Sequence, residues 1–408
     1  MYFIFAWRYF KAKKSANAIN IIAWVTLSVI AFATACQVLV LSVFNGFEDL
    51  VKSLYSSFYT DIRVIPASGK TFILTESQIK DLGSLPYVNN ISLVAEEKAL
   101  LQNRDGIQQT VVYLKGVDDN YASVAGVAGS TNKGSFKTGT AEEPGLILGS
   151  GVQAKSGVDV NSAVPIDSLT VILPKKNSIS NDPLQSLSEG NARATGVFTI
   201  QQDFDDNYAI TNIGFVKQQM GLALDEYSAL EMKLNPKQDP VVIKKKLQDL
   251  LGTKYLVKTR YEQNTNLYNT MELEKWAIYA ILTLIMILSA FNMIGALRML
   301  VLEKQKDISV LQSMGATRSS ILKIFLAEGL LLGGLGAITG IFMAVIICLV
   351  QLKFRLIKLE GGSFLINYFP VKMIPGDFLL VASTALCITF LASWFPALRA
   401  SRQLIELR

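Results

Sequence analysis

The chain has 408 residues, half of them hydrophobic, with a mean hydropathy of +0.34 and a formal net charge of +6. That is more apolar than a soluble domain of this length requires; the charge is modest, its excess is concentrated near the apolar stretches, and no nucleic-acid partner is expected. There is no histidine, which excludes His-based general acid or base work, His-containing triads and HExxH metal sites together.

Four uncharged stretches are each long enough to cross a hydrocarbon core of about 30 Å as a helix, which takes roughly 20 apolar residues. The expected fold is an α-helical membrane protein with four transmembrane helices plus a large α+β domain outside the cytoplasm. Spans are expected at 19–46, 275–300, 324–350 and 377–398, and the domain with its stalk helices at 47–274. A basic N-terminus, 1–18, a segment at 301–323 and the C-terminus, 399–408, read as cytoplasmic, and 351–376 as a short outer loop. Arg8, Lys11, Lys13 and Lys14 before the first span and Arg399, Arg402 and Arg408 after the last carry the orientation. The outer loop holds Lys353, Arg355, Lys358 and Lys372, so the termini weigh more than the loops. A cleaved signal ending near Ala33-Thr34-Ala35-Cys36 is the alternative for the first stretch, but the apolar run continues through Val43. All three cysteines, Cys36, Cys348 and Cys387, fall within apolar stretches, so neither an outer disulfide nor a metal site is expected.

Along the first stretch Phe44, Phe47, Leu50, Leu54 and Phe58 keep a helical period into polar sequence, which predicts a stalk, and 267–274 predicts a second. Between them a strand is expected at 61–66 and a helix at 76–83. A hairpin is expected from 91–102 and 107–117, turning at Asn103-Arg104-Asp105-Gly106. Further strands follow at 169–173, 195–201 and 228–234, then a helix capped by Asp239, begun at Pro240 and ended at Gly252. The run Gly129 to Ser135 lacks the lysine of a phosphate-binding loop. Ser77 and Lys80 match a hydrolase spacing but read as a surface helix. The acid pairs Glu96-Glu97, Glu142-Glu143 and Asp205-Asp206 read as solvated charge. No catalytic residue is expected.

Two constellations stand above this background. Gly329, Gly333, Gly336 and Gly340 fall within roughly 60° of helical arc, a groove for close helix approach either inside the chain or against a second copy. In the cytoplasmic segment, Val310, Leu311 and Met314 share one side of a short helix with Ile308 at its edge, capped by Gly315. Such a helix rests on the lipid interface or fits a groove on a soluble partner.

The run from Asn292-Met293-Ile294 through Glu303-Lys304, Asp307-Ile308, Val310-Leu311 and Met314-Gly315-Ala316-Thr317 to Phe325 and Glu328-Gly329 resembles ABC transporter permeases of the FtsX/MacB type. Leu41 to Phe47, with Asn45-Gly46 inside it, and Leu273-Glu274-Lys275 are most similar to the lipoprotein-releasing (LolC/LolE) members. The resemblance implies a non-catalytic, multi-pass inner-membrane subunit with cytoplasmic termini and no cofactor of its own, ATP and Mg2+ being bound by a cytoplasmic ABC ATPase dimer. It further implies a second permease subunit, homologous or identical, a lipoprotein substrate and a periplasmic lipoprotein carrier. Lys306, Asp307, Ile308, Val310, Leu311, Met314 and Gly315 would couple to the ATPase. Leu39, Val43, Phe47 and Ile278 would border the substrate. The polar insertion from Pro174 to Thr195, with Pro174, Ile179, Pro183, Leu184 and Leu187, would dock the carrier or else be a disordered insertion. Asn161-Ser162 stands where such proteins often show Gly-Asp, which leaves the LolC-like and LolE-like roles both open. The alternative within the family is a mechanotransmission permease that regulates a cell-wall enzyme or drives another export.

Overall fold

A computed structural model describes residues 17–160, 168–176, 186–358 and 368–402, with side chains from residue 21 onward. Two compact units are present: one of residues 1–50, 269–360 and 366–408, the other of residues 51–268 with 361–365. The basic residues at 8–14, Asn161-Ser162, Ile179, Pro183, Leu184 and Arg408 lie outside the described residues.

In the first unit, helices α1 (Asn17–Phe58), α9 (Thr265–Glu303), α11 (Arg318–Phe354) and α12 (Pro375–Ser401) are all long and apolar enough to cross a membrane. At 1.5 Å per residue α1, with 42 residues, is about 63 Å long and α9, with 39, about 58 Å. Each is therefore roughly twice the thickness of a hydrocarbon core, and both expected stalks are continuous with their spans. Small residues let the four helices pack closely: Ala35, Ala337, Ala344 and Ala385 sit with Val38, Leu41, Met286 and Val381 in one buried cluster. A second cluster holds Ile30, Ala290, Met293, Leu297, Leu332 and Ala392.

The second unit contains strands β1 (Ile62–Pro66), β2 (Phe72–Ile73), β3 (Val88–Gln102), β4 (Gln109–Val117), β5 (Thr131–Gly134), β6 (Gly145–Gly149), β7 (Ser168–Pro174), β8 (Leu187–Phe198), β9 (Tyr208–Asn212), β10 (Glu226–Tyr227), β11 (Ala229–Leu234) and β12 (Tyr255–Thr259). Helices α2 (Glu76–Gly83), α3 (Tyr121–Val124), α4 (Ser150–Ser156), α5 (Gln202–Asp205), α6 (Ile213–Met220), α7 (Pro240–Leu251) and α8 (Arg260–Gln263) are interspersed. Among the described residues ten strands form one mixed sheet in the order β12-β1-β11-β3-β4-β9-β6-β8-β5, with β7 paired to both β3 and β8. The long β3 serves two cores. Its Ala95, Ala99 and Leu101 face Val216 and Met220 of α6, and its start joins a second core of Ile62, Met232, Ile243 and Leu247.

Local chemistry places these elements. Thr75 and Gln78 form a capping box at α2, so Ser77 and Lys80 lie on a surface helix as read from the sequence. Asp239 caps α7 with Pro240 at its first position, and Gly252 closes it at φ 74°. The turn between β3 and β4 is closed by the Gly106 amide on the Asn103 carbonyl at 3.0 Å. The region read as a polar insertion differs: β8 begins at Leu187, and Pro174 pairs with Leu187 and Ser168 with Arg193 across an antiparallel hairpin. Its buried alternate positions include Ala192 and Ala194, whose small side chains give almost no apolar signal among Gly, Ser and Asn. Only residues 177–185, at the end of this hairpin, remain outside the described structure.

Candidate functional site

The segment between α9 and α11 forms α10 (Gln305–Ser313). Gly315, at φ 91°, donates to the Gln312 carbonyl at 2.9 Å while the Ala316 amide reaches Leu311 at 2.9 Å, a paired C-terminal closure that needs a residue without Cβ at the left-handed position. Thr317 then caps α11 through the Ser320 amide. The apolar arc of α10 is divided. Ile308, 3% exposed, packs with Val301, Ile321, Phe325, Ala397 and Ala400. Leu311 is half-buried, whereas Val310 and Met314 are 59% and 80% exposed. Ile308 is thus taken by the bundle, and the outward apolar surface of α10 is Val310 and Met314, one turn apart. Lys306 and Asp307 are exposed beside them, Asp307 pairing with Lys304 at 3.3 Å.

The glycine groove of α11 is filled from within. A Cβ at Gly329 or Gly333 would meet Ser393 or Thr389 of α12, and one at Gly336 or Gly340 would meet Ile30 or the Ala31 carbonyl and Thr34 of α1. Two helices thus share one stripe, each over two glycines. Gly334, off the stripe, has nothing within 4 Å. Gly340→Ala should therefore cost about 1–3 kcal/mol of bundle stability, because its Cβ would meet backbone that cannot rotate away. Gly334→Ala should be neutral or gain up to about 1 kcal/mol of helix propensity. Melting of the full chain in detergent distinguishes them, and equal shifts for both would refute the assignment of the groove.

Leu39, Val43, Phe47 and Ile278 are each half-buried. Leu39 borders the alanine-rich cluster, and the Phe47 ring meets Phe369 edge-on at 5.6 Å. Of the hairpin residues, Pro174 and Leu187 are exposed and pair with each other at the end of the two strands, followed by the Lys175 amide on the Ser186 carbonyl at 2.8 Å.

The sequence reading missed a polar cluster where α1 leaves its apolar stretch. Lys275 donates to the Asn45 Oδ1 at 2.8 Å, and the Asn45 amide donates to Asp377 at 2.5 Å. Asn45 and Lys275 had stood out only as parts of two separate motifs.

In the domain, the last turns of α1 are gripped by aromatic rings. Phe58, 1% exposed, stacks on Phe204 at 4.2 Å and lies 4.6 Å from Tyr208, while the Tyr55 hydroxyl donates to Asp203 at 2.6 Å. The chain leading into α9 is tied to the same place. Arg260 pairs with Asp61 at 2.7 Å and donates to the Tyr59 carbonyl, and Gln263 donates to that of Thr60. Beneath the rings lies a buried charge group. Lys115 reaches Glu231 at 2.8 Å and Tyr121 at 3.1 Å, and Arg63 reaches Glu96 at 2.6 Å and Glu231 at 3.7 Å. Burial disfavours the Lys115 ammonium, but the adjacent Glu231 carboxylate more than offsets this and holds its pKa above the ordinary lysine value. Burial likewise opposes charge on Glu96, and Arg63 overrides it, lowering the carboxyl below its ordinary value. Glu96 and Glu97 do face opposite sides of β3, as the alternation requires, yet Glu96 is not the solvated charge expected from sequence. The available signal was one base within Val111-Val112-Tyr113-Leu114-Lys115-Gly116-Val117 and one acid within Ala229-Leu230-Glu231-Met232.

Residues 23–250, more than half the chain, match the MacB-like periplasmic core domain, and residues 279–405 match the FtsX-like permease C-terminal region. The lipoprotein-releasing system transmembrane protein LolC of Neisseria meningitidis serogroup B is 27% identical, over 98% of this chain and 98% of its own. LolE of Haemophilus influenzae is 24% identical, over 98% of this chain and 97% of its own. The solved periplasmic region of MacB from Actinobacillus actinomycetemcomitans covers 53% of this chain and 95% of its own at 14% identity and a TM-score of 0.36. The chain belongs to the permease family that joins a MacB-like periplasmic core domain to an FtsX-like C-terminal membrane region.

Proposed function

We propose that the chain is the permease subunit of an ABC transporter that extracts lipoproteins from the outer leaflet of the inner membrane and passes them to a periplasmic carrier. The observation that carries this reading is likeness along nearly the whole length to proteins named for lipoprotein release, in both the LolC and LolE branches. ATP and Mg2+ are bound by a separate cytoplasmic ATPase dimer, which seats on the Val310 and Met314 face of α10. A second permease subunit, identical or homologous, completes the membrane part, with both termini cytoplasmic. Leu39, Val43, Phe47 and Ile278 border the acyl chains, and the β7–β8 hairpin receives the carrier. The chain itself does no chemistry. Its part is to convert ATPase closure into movement of helices that run unbroken from the apolar stretch into the domain.

Vesicles holding the permease with its copurified ATPase and a triacylated lipoprotein should release that lipoprotein to a soluble carrier only with ATP. Deleting residues 177–185 spares the pairing of Pro174 with Leu187, so folding should survive, because loop length costs little. Transfer should fall at least roughly tenfold if the hairpin end docks the carrier. A wider cut from Ser178 to Gly190 would remove β8 residues paired with Val171 to Pro174 and would confuse docking with unfolding. Unimpaired transfer by the short deletion would remove the docking role. No ATP-dependent release by the intact protein would remove the lipoprotein reading itself. The mechanotransmission alternative draws on the FtsX-like and MacB-like matches and on the length of α1, and predicts domain-dependent ATPase activity with no lipoprotein released.

A further inference from the structure

The outer half of α9 is held to its neighbours differently from the inner half. Lys275, Tyr279 and Thr283 recur every four residues, so they follow one side of the helix. Each makes a polar contact with a different residue of α1 or α12. Lys275 donates to Asn45 at 2.8 Å and lies 3.6 Å from Asp377, the Tyr279 hydroxyl meets Thr384 at 2.5 Å, and Thr283 accepts from Gln37 at 3.1 Å. Below them α9 is buried through apolar Met286, Ala290, Met293 and Leu297, and through Ser289, whose hydroxyl donates to the Ile285 carbonyl of its own helix at 3.0 Å. The segment just before α12 is also fixed to α1, in part by the same Asn45, whose amide reaches the Lys372 carbonyl at 3.5 Å. The Lys372 amide donates to the Ser42 carbonyl at 2.9 Å, Lys372 pairs with Asp49, and Gly46 lies against the Pro370 backbone.

We propose that Lys275, Tyr279 and Thr283 form a polar zipper, with Asn45 as its clasp, that lets the outer half of α9 part from α1 and α12 while the inner half stays packed. Three properties support a device that opens. Lys275 and Asp377 stand at the first residues of two apolar stretches and are partly buried, where ionisable groups persist when they are paired. Apolar packing loses contact continuously as helices separate, whereas a ladder of hydrogen bonds has discrete made and broken states. A spare acceptor for a second arrangement is already buried in it, because Gln37 Oε1, on the residue that meets Thr283, has no partner among the described residues. Asn45 is suited to the clasp because it both accepts from the base and donates to the acid, and it is 2% exposed. That it admits an acyl chain beside Val43, Phe47 and Ile278 rests on the function proposed above; the zipper itself does not.

The test uses the full chain in proteoliposomes, with Cys36, Cys348 and Cys387 replaced by Ala and Val38→Cys as reporter. Val38 is 2% exposed, in the cluster that holds Met286 with Tyr279 packed against it. A small water-soluble thiosulfonate should label it slowly in the parent. Lys275→Asp should raise the rate at least tenfold, and Asp377→Lys likewise. The exchanged pair, Lys275→Asp with Asp377→Lys, should return to within about threefold of the parent, because the Asn45 amide can flip to serve either polarity. Asn45→Leu, which keeps size and adds no charge, should also raise the rate and decides the matter if a charged single variant aggregates. A reporter at exposed Gln238 instead should label alike in all variants. Singles that label at the parent rate, or an exchange variant as fast as the singles, would overturn the zipper. Lipoprotein release measured on the same vesicles reads the functional proposal separately: its absence with zipper behaviour intact refutes only that proposal.

Discussion

Lys115→Met should destabilise the domain by about 3–5 kcal/mol, the usual cost of removing one partner of a buried ion pair. Lys115 and Glu231 are each 1% exposed in their side chains, and Glu231 Oε2 has no hydrogen-bond partner among the described residues even with Lys115 present. Arg63 approaches Glu231 only to 3.7 Å and is engaged by Glu96 at 2.6 Å, so it cannot take over. The double variant Lys115→Met with Glu231→Leu should recover most of the loss, because Arg63 and Glu96 still neutralise each other and no charge is stranded. Amide hydrogen exchange along β4 in the full chain measures this locally. A single variant within 1 kcal/mol of the parent, or a double variant no better than the single, would show that the group is solvated in solution. The pH dependence has a definite sign. Burial opposes charge on Glu96 but Arg63 holds it below the ordinary carboxyl value, so its contribution is present above that ordinary value and is lost as pH falls through the lowered one. Lys115 is held above 10.5, so its contribution is complete below that pH and is lost as pH rises through the raised value.

Why this group was invisible in the sequence, while the bundle was not, has a physical answer. Apolar length is a one-dimensional property: the four long helices follow from runs of uncharged residues, and α7 follows from Asp239, Pro240 and Gly252 within its own span. The glycine stripe was legible as a groove because helical geometry alone puts the four residues on one side. What filled it was not legible, since Ser393, Thr389, Ile30 and Ala31 come from two other helices. The first part of β8 was hidden because Ala192 and Ala194 need no bulk where they pack, only its end falling in the strand expected at 195–201, and β6, β9 and β12 are five-residue strands whose buried faces are completed by neighbours distant in sequence. The Arg63, Glu96, Lys115 and Glu231 group draws on four strands, and Asn45, Lys275 and Asp377 on three helices. A single charge in an apolar strand is a signal that something pairs with it. Which charge answers it is a question of register and topology, not of composition.

The largest effect on assembly is expected at α10. In the isolated chain Met314 is 80% exposed and Val310 59%, so aspartate at either position meets water and should leave the melting of the permease unchanged. If these side chains seat in a groove of the ATPase, the same aspartate is buried there without a partner. Loss of a central anchor of this kind costs about 2–4 kcal/mol, roughly 30- to 1,000-fold in affinity. Met314→Asp and Val310→Asp should then abolish copurification of the ATPase. Ile308→Asp should behave oppositely, because Ile308 is 3% exposed among Val301, Ile321 and Phe325, and a carboxylate there disrupts the bundle before any partner is met. The discriminating pattern is a stable chain with lost partner for the two outward positions and an unstable chain for the inward one. If the outward variants keep the ATPase and its coupling, α10 lies on the lipid interface, and the coupling proposed above would have to enter the bundle elsewhere.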